Sequence, residues 1–358
     1  MNLLRCRGSG SESSFWMLET IREFALERLG AERAQIELAL AVYFAQLVED
    51  LRLSEGLEPE WRKAIERLES EIENVRVALA AAAASGDISL QVQLAGGLWR
   101  YWHVRGPAAE GLEWIEQALA GGEGPATAHR ARALYGGAVL AWDRGDLERA
   151  KKMAHVALPV AVEAGSEWYE LGAHTVRGAI ASDQGDYATA RSHHQRSLEI
   201  KEQLGIDPAV EKLNLGEVAS RLGEHERAIA LFEEVLSSFQ RSASVGSMGV
   251  AHLNLGLARH ELGDWGASRR DFEQARTCLE SVGFRQQAAY ALQGLAACEA
   301  SESHFEEAAR LLGEARRELD EIGLPPDAFA PEMIASIEST ARAALGDDGF
   351  EAASGSEL

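Results

Sequence analysis

The chain is poor in lysine, with five in 358 residues: Lys63, Lys151, Lys152, Lys201 and Lys212. None of them ends a G-x-x-x-x-G-K-[ST] loop, so the phosphate cradle of an NTPase is missing and ATPase chemistry is excluded. Positive charge is scarce overall. The 35 Lys and Arg face 57 Asp and Glu, and the net charge of −22 repels a phosphate backbone or an anionic bilayer. Neither direct nucleic-acid binding nor membrane binding is expected. Cysteine is rare: Cys6, Cys278 and Cys298 lie far apart and form no C-x-x-C pair. Separated thiols in odd number suit a reducing cytoplasm better than a disulfide framework. The most apolar run, VALAAAAASG (Val77–Gly86), is too short to cross a bilayer, and MNLLRCRGSG lacks the apolar core of a signal peptide.

Catalytic and metal-binding patterns are also missing. No Ser or Cys sits in a G-x-S-x-G elbow. No two histidines are spaced i, i+4, and HERAIA (His225–Ala230) lacks the second His of a zincin. His193 and His194 are adjacent, so on a helix they point about 100° apart and cannot chelate together. Paired carboxylates are explained by the abundance of acids on helical faces. No enzyme activity, metal or cofactor is expected, and a hydrolase would have no residues to name.

What the chain does have is a repeat. Five turns share one signature: RGDLERA (Arg144–Ala150), QGDYATA (Gln184–Ala190), LGEHERA (Leu222–Ala228), LGDWGAS (Leu262–Ser268) and ESHFEEA (Glu302–Ala308). Their turn residues are Gly145, Gly185, Gly223, Gly263 and Ser303, in steps of 40, 38, 40 and 40. A further step back reaches Gly106, in VRGPAAEG. The tripeptide Arg144-Gly145-Asp146 is thereby one turn of a series, not an adhesion signal. Between turns the spacing is that of amphipathic helices. Small residues recur seven before each turn and five after it: Ala138 and Ala150, Gly178 and Ala190, Gly216 and Ala228, Gly256 and Ser268, Ala296 and Ala308. Seven further on come Ala157, Ser197, Val235, Ala275 and Ala315. Small side chains let two helices approach closely, and glycine supplies the turn.

This spacing resembles the tetratricopeptide repeat (TPR), with helices about one turn longer than usual. It predicts an all-α, TPR-like helix-turn-helix solenoid, a right-handed superhelix of six units over residues 88–323. A break at Pro325-Pro326 precedes a capping helix in 324–346, and 347–358 reads as a loose tail. In TPR arrays the first (A) helices line a concave groove that receives a partner. Groove offsets carried over from that resemblance select Arg132, Tyr135 and Trp142 in one unit, and Asn214, Glu217 and Arg221 two units on. They then give Asn254 and His260, followed by Tyr290 and Gln293. The leading unit contributes Arg100 and His103, with Trp102 and Tyr101 beside them. Trp99 and Trp114 are expected to fill the core; for Tyr135 and Trp142, core and groove are equally open.

Residues 19–87 form a helical junction, with stretches Leu18–Leu29, Ala31–Ser54 and Glu58–Ala84. Three segments, MLETIREFALERL (Met17–Leu29), LESEIENVRVAL (Leu68–Leu79) and LAGGLWRYWHVRGPAAEGLEWIEQAL (Leu94–Leu119), together resemble the large bacterial regulators that join a STAND (NB-ARC-like) ATPase and winged helix to a TPR sensor, often in LuxR-type transcription factors. Residues 1–18 would then be a β-hairpin, strands Asn2–Arg7 and Ser14–Leu18, that is a remnant of the winged-helix wing. Its edge would favour self-association. The resemblance implies a non-catalytic recognition module for a protein, peptide or small effector. The alternative is a free-standing TPR adaptor that binds a partner peptide or helix in its groove.

Overall fold

A computed structural model describes residues 5–7, 14–16, 19–30, 32–51, 53, 60–122, 124–325 and 330–355. The chain divides into two compact units, Met1–Val176 and Arg177–Leu358.

The first unit opens with α1 (Glu19–Leu29), α2 (Glu32–Asp50), α3 (Glu60–Ser70) and α4 (Ile72–Ser85). The single long stretch expected over Glu58–Ala84 is thus two helices, parted at Glu71, whose φ of −113° and ψ of 9° leave the helical well. Next come α5 (Ile88–Gly97), α6 (Trp99–Val104), α7 (Ala108–Leu119), α8 (Ala128–Asp143) and α9 (Leu147–Glu163), and then α10 (Glu167–Asp183). Helix α5 is clasped between α2 and α8. A Cβ at Gly97 would stand 2.3 Å from Val48, and one at Gly96 2.7 Å from the Ala133 side chain. Only glycine permits that approach. The core of this unit is aromatic and aliphatic, with Phe44, Leu94, Leu98, Trp99, Trp102 and Ile115 among its buried residues.

Upstream of α1, Arg5–Arg7 runs antiparallel to Ser14–Trp16, with Cys6 opposite Phe15. Three pairs are too few to stand as a sheet, and residues 8–13, the expected turn, lie outside the described residues. The fold is an all-helical array, and the small hairpin is not established as one of its elements.

The second unit repeats one motif: α11 (Tyr187–Leu204), α12 (Ala209–Arg221), α13 (His225–Arg241), α14 (Val245–Glu261), α15 (Trp265–Ser281), α16 (Arg285–Ser301) and α17 (Phe305–Glu321). Each A-to-B turn closes through a left-handed residue, at φ 77° for Gly223 and 67° for Ser303. After it, Asp186 and Asp264 accept the N–H of Thr189 and Ala267 and so cap the next helix. A second series of left-handed residues, Gly205, Ala243, Gly283 and Gly323, closes the B-to-A turns about midway between. The hairpins thus alternate on a half-period. Where helices cross, an A-helix glycine faces a large B-helix ring: Phe232 at Gly216 and Phe272 at Gly256. At the equivalent crossing Gly178 faces His194, which is buried. Burial, with a smaller contribution from the neighbouring His193, pushes the His194 pKa down to about 4, so this imidazole is neutral in the core.

The unit ends with α18 (Pro331–Ser354), which packs on α16 and α17. The loose tail expected from residue 347 is helical through Ser354 instead, turned by Gly346 at φ 73°. Phe350 is buried against Ala309 and Ala341, and Arg317 Nη1 donates to the Ser354 carbonyl at 3.0 Å. The small polar residues around Gly346 serve a kink that aims one phenylalanine at the core. No described helix is long and apolar enough to cross a membrane.

Candidate functional site

In the second unit, α12, α14 and α16 are the A helices. Their side chains, with those of α18, line a groove of about 1030 Å³. Four of the expected residues meet there: Glu217, Arg221, Asn254 and His260. Asn254 Nδ2 donates to Glu217 Oε1 at 2.8 Å, joining α14 to α12. His260 Nε2 lies 3.1 Å from Ser301 Oγ, joining α14 to α16. The floor between these polar pairs is apolar, with Leu257, Ala297 and Ala300 from the A helices and Met333 and Ile337 from α18.

Water reaches Glu217 through the groove, yet protein surrounds its carboxyl. Desolvation raises its pKa most, the Asn254 hydrogen bond and the Arg221 charge oppose that, and Asp183 adds to it. The α18 contribution, Met333, Ser336, Ile337 and Thr340, was not anticipated. The expected cap covers one end of the array, but only three-dimensional packing turns its side toward the A helices. Ser301 was missed too, although a signal existed: it stands two residues before its turn, as Arg221 does before Gly223.

Three expected residues of this unit are elsewhere. Asn214 is half-buried and outside the groove lining. Tyr290 and Gln293 are buried, with Tyr290 packed among Leu253 of α14, Phe272 and Ala275 of α15 and Leu319 of α17. The Tyr290 hydroxyl accepts from Gln286 Nε2 at 2.7 Å, a bond internal to α16. These two are core residues, not groove residues.

In the first unit the same offsets lead to a filled face. Arg132 is 4% exposed. Its guanidinium donates from Nη1 to Glu49 Oε2 at 3.1 Å, from Nη2 to the other Glu49 oxygen, and from Nη2 to the Gln93 carbonyl at 2.9 Å. It clamps α8 to α2 and α5 and is not a free anchor. Trp102 is fully buried, against Gly106 and Gly111. Tyr135 packs edge-on to Trp99 at 5.1 Å, and Trp99 lies in the core as expected. Arg100 lies 5.0 Å over the Trp99 ring, and burial lowers its pKa. His103 Nδ1 pairs with Asp143, the residue two before Gly145. This reproduces the His260–Ser301 relation earlier in the chain, three before one turn to two before the next. Trp142 is half-buried.

Among the described residues one group, Glu299, Glu302 and His304, brings three potential ligand atoms within 4.8 Å of one another. Arg269 Nη2 lies 2.9 Å from Glu299 and 2.5 Å from Glu302, so a fixed cation is already paired with both carboxylates. Cys298 is buried at 3.3 Å from Ser268 Oγ, and burial raises its thiol pKa, which suits packing rather than nucleophilic attack.

The tetratricopeptide repeat family matches residues 169–241. HTH-type transcriptional regulators of Mycobacterium bovis and Mycobacterium tuberculosis are 32% identical over 140 residues, which is 38% of this chain and 15% of theirs. The match therefore spans a small fraction of those relatives. Among solved structures, a STAND protein with a tetratricopeptide repeat sensor from Pyrococcus horikoshii superposes with a TM-score of 0.56 at 12% identity, over 97% of this chain and 54% of that one. A Rap protein complexed with competence and sporulation factor gives a TM-score of 0.59 at 12% identity, over 88% and 90% of the two chains. At such identity these structures establish the fold: an all-helical, TPR-like solenoid.

Proposed function

We propose that the chain is a non-catalytic recognition module whose second unit receives a segment of a partner protein or peptide in the α12–α14–α16–α18 groove. The observation that carries this reading is the groove itself: polar groups from three successive A helices converge over an apolar floor. Such a mixture fits recognition, since the floor supplies burial and the polar groups supply register. The biological setting we favour is the sensor part of a STAND/LuxR-type regulator, supported by the mycobacterial relatives and the Pyrococcus neighbour. There, partner binding would stabilise one arrangement of the array over another. In the same reading, residues 88–323 are six repeats, residues 19–87 the junction, and the strand pair before α1 the remnant of a wing. A photo-crosslinking amino acid at Ala300, inside the groove, should yield discrete adducts in a host lysate, and one at Glu306, exposed on α17, should not. Adducts at Glu306 alone would move the binding surface to the B helices.

A further inference from the structure

Glu217 is out of place in its column. Six residues before each turn the array carries Val139, Ala179, Glu217, Leu257 and Ala297. Four are apolar or small, as the inner wall of a solenoid requires. The fifth is a carboxylate with no ion pair among the described residues, held by one neutral donor, Asn254. The groove around it also carries Glu261 and Glu332, against a single guanidinium, Arg221. Other arginines of the neighbourhood are committed outside the groove. Arg259 pairs with Asp271 and, at 2.5 Å, with Glu233, and Arg269 pairs with Glu299 and Glu302. Asp183 adds its negative field at Glu217. A carboxylate facing a groove that holds two further carboxylates, with Asp183 adding to its cost, gains from a cation that arrives with a ligand. Next to it, Leu257, Ala297, Ala300, Met333 and Ile337 form an apolar strip suited to an aliphatic stem.

We infer that the groove binds an extended basic peptide segment, with a Lys or Arg head on Glu217 and its stem along Leu257 and Met333. The inference rests on the groove being the partner site and adds the chemistry of the partner. It also fits the chain's own charge of −22, which draws basic segments and repels acidic ones.

The test is phage display of random twelve-residue peptides on the full chain, followed by fluorescence anisotropy with the selected peptides. Selected sequences should recur in Lys or Arg. Glu217→Gln should weaken them about tenfold or more, as loss of a charge-assisted hydrogen bond does, with circular dichroism unchanged. Affinity for the parent chain should fall with added salt more steeply than for the variant. Peptides that bind the groove, as judged by competition from Ala300→Trp, yet lack basic residues or ignore Glu217→Gln would overturn the charge assignment alone. Selected peptides indifferent to Ala300→Trp, or no selected peptides at all, would overturn the groove reading with it.

Discussion

The two units place the same repeat positions in opposite environments. In the second unit, Glu217, Asn254 and His260 stand on A helices whose inner side meets a groove. In the first, the equivalent stripe on α8 is covered by α2 and α5, and Arg132 turns from a presumed ligand anchor into a clamp on Glu49 and Gln93. Period alone therefore does not make a groove. A groove exists where the inner face is left uncovered, and in the first unit α5 packs on α8 while Glu49 of α2 reaches over to hold Arg132.

The largest expected effect breaks that contrast at its strongest point. Arg132→Ala removes the buried partner of a doubly hydrogen-bonded pair with half-buried Glu49, together with its bond to the Gln93 carbonyl, and should cost about 2–3 kcal/mol in urea unfolding of the first unit. Glu217→Gln, on a carboxylate that water reaches, should shift stability by less than about 0.5 kcal/mol. If the two variants unfold alike, the covered-face account of the first unit fails.

A smaller effect contrasts cores instead of faces. His194 occupies the position that Phe232 and Phe272 hold in the following hairpins. Its folded pKa of about 4 lies below the usual histidine value of 6.5, so the unfolded chain takes up the proton first. Stability from this group is intact above about pH 6.5 and falls as pH drops towards 4, by about 3 kcal/mol at most over that window. His194→Phe should flatten the pH dependence of unfolding there. An unchanged acid profile would mean that His194 is not the titrating group.

The smallest effect concerns the turns. Ser303 adopts φ 67° where Gly145, Gly185, Gly223 and Gly263 hold the equivalent place. Ser303→Gly should stabilise the second unit by about 1 kcal/mol, read as a raised thermal midpoint. A lowered midpoint would show that the Ser303 side chain contributes more than its backbone conformation costs.

Much of this was legible in the residues themselves. Turn glycines and small crossing residues act over a few positions, so their spacing determined the helical hairpins and their period. Offsets carried over from the tetratricopeptide resemblance picked out Glu217, Arg221, Asn254 and His260, which line the groove. Other features were settled only by packing across long separations. Glu49 and Arg132 are 83 residues apart, and no local pattern says that they meet. Tyr290 and Gln293 carry groove offsets but are buried, and Tyr290 packs among residues of α14, α15 and α17 that are distant in sequence. Residues 347–354, read as part of a loose tail, are helical after the kink at Gly346 because Phe350 packs on Ala309 and Ala341. Sequence period determines which way a side chain points along its own helix. Whether water, a partner or another helix meets it there depends on which neighbour covers that face, and only the tertiary structure decides that.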